Sequence, residues 1–344
     1  MGFFCFMKDK IFIVVTSIAA PNDILRELTR SCVKNDCHFI VIGDEASPDD
    51  FHIDGCDFYS LQKQTETGLK FARNCPVKHY ARKNIGYLLA IQNGASIIIE
   101  TDDDNIPYEQ FWAPRRRIHT TKIIENAGWV NLYRYFSDQN IWPRGFPLEH
   151  SQSTPPSFDT LEQAEIDCPI QQGLADENPD VDAVYRLTMP LGQTFRKDRQ
   201  VALAGGSWCP FNSQNTSWWP DAFELLYLPS YCSFRMTDIW RSFIAQRIAA
   251  LNGWAILFHE PTVKQRRNLH NLLGDFEDEI PGYLHNCEIR EALETLELQP
   301  GKEKIPDNLR ICYQKLVDMS LIGDEELQLL DDWLDDVKGT PNTK

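Results

Sequence analysis

Ala95-Ser-Ile-Ile-Ile-Glu-Thr-Asp-Asp-Asp-Asn-Ile-Pro107 is the most informative stretch of this 344-residue chain. Ile97, Ile98 and Ile99 are β-branched and apolar, the pattern of a strand buried on both faces. The run breaks at Glu100, and Asp102, Asp103 and Asp104 follow without a spacer. Three carboxylates at the carboxyl end of a buried strand repel one another unless a cation lies between them. Oxygen ligands of this type suit Mg²⁺ or Mn²⁺. An acidic turn in water fits the same three letters, so the flanking chain has to decide.

Upstream, Lys10-Ile-Phe-Ile-Val-Val-Thr-Ser-Ile18 reads as a buried strand with a small polar end. A helix follows from Pro21-Asn-Asp to about Lys34, with Ile24, Leu25 and Leu28 on one face. Cys37-His-Phe-Ile-Val-Ile-Gly-Asp44 is a second buried strand ending in Gly43 and Asp44. A β-α-β start of this kind implies a parallel sheet. Polar strand ends gathered at one sheet edge are where ligands bind. Tyr80 to Asn93 reads as a helix leading into the Ile97 strand. Neither GxGxxG nor GxxxxGK[ST] occurs, so no dinucleotide fingerprint or P-loop is indicated. The expected class is α/β: a Rossmann-type sheet, mixed but mostly parallel and flanked by helices, with a C-terminal helical extension, and the acidic run at the end of its later strand resembles the GT-A pattern.

Composition sets outer limits. Charged residues at 24% and hydrophobic ones at 42% describe a soluble globular chain. A net charge of −16 argues against non-specific nucleic-acid binding, which draws its affinity from basic patches. The ten cysteines include no CxxC pair and read as reduced thiols. The opening Met-Gly-Phe-Phe-Cys-Phe-Met-Lys is too short for a signal or a membrane span, so a cytoplasmic location is expected.

Beyond the aspartates, about Phe111 to Val201 reads as irregular, aromatic-rich loops and short strands over a cleft. Asn212, Gln214 and Asn215 are close-set amides that suit hydroxyl-rich ligands, and equally suit a hydrogen-bonded loop. Thr237 fits the N-cap of a helix with Asp238 in its first turn. Asp238 can be a catalytic carboxylate or an ion-pair partner of Arg235 and Arg241. His259 ends another short buried strand, Trp254 to Pro261, as a ligand or as a structural histidine. Lys264, Arg266 and Arg267 beyond it could offset diphosphate charge. Residues 284–344 hold 14 Asp and Glu against 7 Lys and Arg and read as three packing helices. The expected organisation is a catalytic domain over 8–283 and an acidic helical extension over 284–344. The domain divides into a nucleotide-sugar half (about 8–110) and an acceptor half (about 111–283).

The chain resembles the STELLO-type glycosyltransferase family. The resemblance rests on Tyr80-Ala-Arg-Lys-Asn-Ile-Gly-Tyr-Leu-Leu-Ala-Ile-Gln-Asn-Gly-Ala95, Asp102 to Asp104, Trp142-Pro-Arg-Gly-Phe-Pro-Leu148 and Pro210-Phe-Asn-Ser-Gln-Asn-Thr216. Arg235-Met-Thr-Asp-Ile-Trp-Arg241 and Gln246-Arg247 continue it. The acidic triplet is also similar to that of the reversibly glycosylated polypeptides, which include a UDP-arabinose mutase. The resemblance implies a GT-A fold, a nucleotide-sugar donor (a UDP-sugar), a hydroxyl acceptor such as a carbohydrate, and Mn²⁺ or Mg²⁺. On that basis Thr16, Ser17 and Asp44 meet the uracil and ribose, and Arg82, Lys83 and Asn84 the base or diphosphate. Asp102 and Asp103 belong to the donor site. Asp102, Asp104 and His259 are the metal ligands. Asn212, Gln214, Asn215, Arg235 and Arg241 hold sugar or substrate, and Asp238 is the base for the acceptor hydroxyl if the reaction inverts, or orients the donor sugar if it retains. A sugar-nucleotide mutase and a non-catalytic nucleotide-sugar-binding module are the alternatives. Plant members of the family carry a membrane anchor that this sequence does not show, so their location is not carried over.

Overall fold

The structure is a computed structural model that describes residues 9–267 and 271–339. One large mixed sheet runs through it. Its strands are β1 (Ile11–Thr16), β2 (His38–Ile42), β3 (Asp57–Tyr59), β4 (Ile97–Thr101), β5 (Asn105–Pro107) and β6 (Ile118–Ile124). After a short outlying strand, β7 (Gly128–Trp129), come β8 (Glu162–Asp167), β9 (Ile170–Asp176) and β10 (Gln200–Leu203). A second outlying strand, β11 (Ser207–Trp208), pairs with β7, and β12 (Asn215–Trp218) and β13 (Ile256–Gln265) rejoin the large sheet. The order is β3-β2-β1-β4-β12-β9-β13-β10-β6-β8, with β5 on β13. The β3-β2-β1-β4 half is all parallel, as the β-α-β reading requires. Antiparallel pairing enters with β12, which lies between β4 and β9.

Alternation along β1 explains the two layers. Ile13 and Val15 face helix α1 (Asp23–Asn35) through Leu25, Leu28 and Cys32. Val14 faces helix α4 (Lys83–Gln92) through Ile85, Leu88 and Leu89. Successive strand residues point to opposite faces, so one apolar strand serves both cores. Gly86 lets α4 approach closely, because a Cβ there would lie 2.4 Å from Cγ1 of Val14. Asn22 caps α1, its Oδ1 accepting from the Leu25 amide at 2.8 Å.

The remaining helices are α2 (Leu61–Glu66), α3 (Lys70–Asn74), α5 (Ala183–Thr188), α6 (Thr237–Leu251), α7 (Leu272–Thr295), α8 (Ile305–Asp318) and α9 (Glu326–Lys338). The expected boundary at 283/284 falls inside α7, a single helix. Nor do the last helices stand apart. Leu309, Tyr313, Leu330 and Trp333 join the same hydrophobic core as α4 and α6. Glu326 accepts from the Ser230 and Tyr231 amides at 2.8 and 2.7 Å, and Asp336 from the Phe71 amide at 2.8 Å. Acidic side chains thus fasten the C-terminal helices to the sheet layer. No helix among the described residues is long and apolar enough to cross a membrane, and every cysteine among them is free.

Candidate functional site

The carboxyl ends of β1, β2, β4 and β13 open into one cleft of about 570 Å³. Thr16 and Ser17 come from β1, Gly43 and Asp44 from β2, Asp102 to Asp104 from β4, and Gln265 and Arg267 from β13. Ser213 and Gln214 enter from the start of β12, Asp238 from the start of α6, and Arg144 and Asp180 from loops. A cleft outside the carboxyl ends of parallel strands is the standard ligand site of open α/β sheets.

The three aspartates are held differently. Asp102 Oδ1 accepts from the Tyr80 hydroxyl at 3.0 Å and from Lys83 Nζ at 3.1 Å. The Lys83 ammonium is wholly buried and also donates to the Thr101 carbonyl at 2.7 Å. Asp103 accepts from Ser17 Oγ at 2.5 Å, and Asp104 accepts from Gln265 Nε2 at 3.1 Å on both oxygens. Burial raises the Asp103 carboxyl above its usual range, with a further push from Asp102. Burial, then Asp102, pushes Asp104 up to about 7. Two buried atoms beside it, Oε1 of Gln265 and Nε of Arg267, lack a hydrogen-bond partner among the described residues. Crowded carboxylates next to orphaned polar atoms are the donor set a bound ion or ligand would complete.

His259 is not brought to the aspartates. The strand was expected to end there, but β13 runs on to Gln265 past a bulge between His259 and Val263. Pro261 has no N–H for the ladder, which is the residue type a bulge tolerates. His259 therefore sits beside Gly173 of β9, six positions before Gln265 and roughly 20 Å back along an extended chain. Its Nδ1 meets the Glu260 carbonyl at 2.9 Å. Among the described residues no group of three or more His, Cys, Asp or Glu side chains is arranged to hold a metal ion.

Asp238 does line the cleft, but as an ion-pair partner. Its Oδ2 accepts from Arg144 NH2 at 3.0 Å and from the Ser213 amide and hydroxyl, both at 3.1 Å. Arg144 also grips Asp180 with two bonds of 2.8 Å. Burial works against ionisation of Asp238, yet the Arg144 guanidinium holds its carboxyl well below the usual range. A carboxylate so stabilised is a weak proton acceptor. The Arg235 and Arg241 partnership expected for Asp238 does not form. Arg235 pairs with Glu279 at 2.9 Å, and Arg241 makes a buried two-bond pair with Glu100 at 2.8 and 2.9 Å.

Other expected binders are turned inward. The Arg82 guanidinium donates to Gln64 and to the Cys75 carbonyl, and Asn84 clamps the backbone of Leu228 through both amide atoms. Asn215 donates to the Leu174 carbonyl and to Thr262, and Asn212 Oδ1 accepts from the Gln214 amide. Arg82 still lines the cleft, and of the three amides Gln214 alone does so. The sequence reading missed Tyr80, Arg144 and Asp180 as individual cleft residues. Tyr80 and Arg144 lie in motifs it had singled out, and Asp180 in a stretch read as cover for the cleft.

Sheet order and strand-end cleft together define an α/β protein with an open mixed sheet. The model of the family described as STELLO glycosyltransferases matches residues 235–341. Two Arabidopsis thaliana proteins are similar over most of the chain. "Probable glycosyltransferase STELLO2" is 30% identical over 281 residues, which is 74% of this chain and 36% of that protein. "Probable glycosyltransferase STELLO1" is 31% identical over 282 residues, 75% of this chain and 35% of that one. The chain belongs to the STELLO glycosyltransferase family and spans about a third of the length of these relatives. Among solved structures, the glucosyl-3-phosphoglycerate synthase of M. tuberculosis superposes with a TM-score of 0.40 at 14% identity, covering 81% of each chain. A mycobacterial protein gives 0.40 at 12% identity, over 81% of this chain and 75% of that one.

Proposed function

We propose that the cleft transfers a sugar from a nucleoside diphosphate sugar, specifically a UDP-sugar, to a hydroxyl of an acceptor, with Mn²⁺ or Mg²⁺ at the aspartate run. The observation that carries this reading is the state of Asp103 and Asp104. Both are held above the usual carboxylate range, first by burial and then by the Asp102 charge beside them, at a sheet rim. A divalent cation turns that repulsion into attraction. Asp102 and Asp104 would hold it. Mg²⁺ in particular prefers one or two carboxylates plus water and phosphate oxygens to an all-protein cage, so two aspartates can suffice for it. When bound, the ion would offset charge on the departing diphosphate.

The chain's own groups do the positioning. Ser17 and Asp44 offer a hydroxyl and a carboxylate where a ribose would lie. Arg267 and Lys78 bring cations to the same cleft. Tyr80 and Lys83 fix the rotamer of Asp102 by two hydrogen bonds to one oxygen. Asp238 works through Ser213 and Arg144 as a positioning residue, keeping the β12 entrance and the α6 start in register across the cleft floor.

Release of UDP from a panel of UDP-sugars, with Mn²⁺ and with EDTA, tests the reading. Metal-dependent release that rises with an added hydroxyl acceptor is the expected result. Ring isomerisation of the donor without acceptor would instead make the protein a mutase. Binding without release would make it a binding module.

A further inference from the structure

Helix α7 carries an apolar stripe left uncovered among the described residues. Leu273, Phe276, Ile280 and Leu284 recur at intervals of three and four, which places them on one side of the helix. Leu273 is 69% exposed, Leu284 65%, Ile280 38% and Phe276 36%. Leu187, on the neighbouring α5, adds a fifth large side chain at 47%. The opposite side of α7 is already occupied, with Gly282, Asn286, Ile289 and Leu293 buried in the protein. Single exposed leucines are ordinary, but four along one helix face mark a contact surface.

Charge says what kind of partner fits. The exposed ionisable residues of α7 are all acidic: Glu277, Asp278, Glu288, Glu291 and Glu294, with Glu288 beside the part-exposed His285 at 2.8 Å and Glu294 accepting from Trp208 Nε1. Glu277 and Glu288 fall at the edge of the stripe at helical spacing. A second copy related by a two-fold axis would set these carboxylates near their own equivalents, on a chain of net charge −16. An anionic bilayer is repelled for the same reason.

We propose that this face of α7 docks a basic amphipathic helix of a partner protein, its apolar side on Leu273 to Leu284 and its Lys or Arg side chains on the flanking glutamates. Helix-on-helix recognition of this kind reads anchors at three- and four-residue spacing. The site adjoins the cleft: on its inner side α7 pairs Asp275 with Arg267 at 2.8 Å and Glu279 with Arg235 at 2.9 Å. A partner held here sits beside the cleft mouth, whatever the cleft transfers.

The test uses the full chain and a labelled synthetic helix of about 20 residues, with Leu along one stripe and Lys beside it, together with a twin carrying Glu in place of Lys. The Lys peptide is expected to bind and to weaken about 10-fold between roughly 50 and 300 mM salt. The Glu twin is expected not to bind. Leu284→Asp should weaken the Lys peptide about 10-fold or more, with an unchanged circular dichroism spectrum and urea midpoint. The pair Glu277→Lys and Glu288→Lys should shift preference toward the Glu twin. Equal binding of both peptides, or Leu284→Asp without effect, overturns the proposal. So does sedimentation showing a dimer of the chain that Leu284→Asp dissolves, because a second copy would then be the occupant.

Discussion

Replacing Arg241 with Met removes one half of a buried ion pair beneath the cleft. Arg241 is 1% exposed and Glu100 0%. Glu100 accepts both guanidinium bonds, a bond from Trp218 Nε1 at 2.9 Å and one from the Tyr87 hydroxyl. Arg241→Met leaves a carboxylate in the core with two neutral donors and no counter-charge. Breaking such a pair on one side costs about 3–5 kcal/mol. With a urea dependence of about 3 kcal/mol per molar, the midpoint should fall by about 1–1.7 M. Adding Glu100→Gln removes the stranded charge while keeping an acceptor for Trp218, so the double variant should recover about 2 kcal/mol or more of the loss. Tryptophan fluorescence follows the transition, and calorimetric titration with UDP in Mn²⁺ reports on the cleft. An unchanged midpoint in Arg241→Met, with nucleotide binding lost, would refute the argument. It would return Arg241 to the substrate site expected from sequence.

Asp104→Asn should abolish metal-dependent UDP binding in calorimetry and leave the metal-free melting temperature equal or higher, because it removes a carboxylate that burial already disfavours. Asp238→Asn should weaken the Arg144 ion pair and lower the urea midpoint together with turnover; turnover lost at an unchanged midpoint would restore Asp238 as the base. Burial holds the His259 imidazole down to about 4, against an ordinary 6.5. A lowered pKa stabilises the fold above 6.5, and that stability is lost as the pH falls through 4. Acid should therefore cost at most about 3 kcal/mol over this window, less for a half-buried ring, and His259→Gln should flatten that limb of a urea-midpoint-against-pH curve.

Much of the N-terminal part of the sheet was legible because its elements are local. Ile11 to Thr16, His38 to Ile42 and Ile97 to Thr101 are short apolar runs with polar ends, and chain connectivity through α1 and α4 fixes them as parallel neighbours. The second half resisted. Strand β9 is buried along its whole length, yet it reads Ile-Gln-Gln-Gly-Leu-Ala-Asp, and no periodicity announces it. Its polarity is matched only by distant chain. Gln172 Oε1 accepts from the Asn212 amide and from Thr216, and Gly173 makes room for Asn215 and His259. That same matching draws Asn212 and Asn215 away from any ligand.

From its letters alone the chain determines a strand-helix-strand start, a cluster of carboxylates at a strand end, and the family. These follow from hydrophobic runs, like-charge crowding and ordered motifs, which need no partner to be read. Which charged groups face the cleft was decided only in three dimensions. Whether Asp238, Arg241 or Arg82 acts on a ligand depends on the counter-charge or carbonyl within about 3 Å of it, and those partners lie from 7 to 141 residues away; His259 is set apart from the aspartates by a bulge in its own strand.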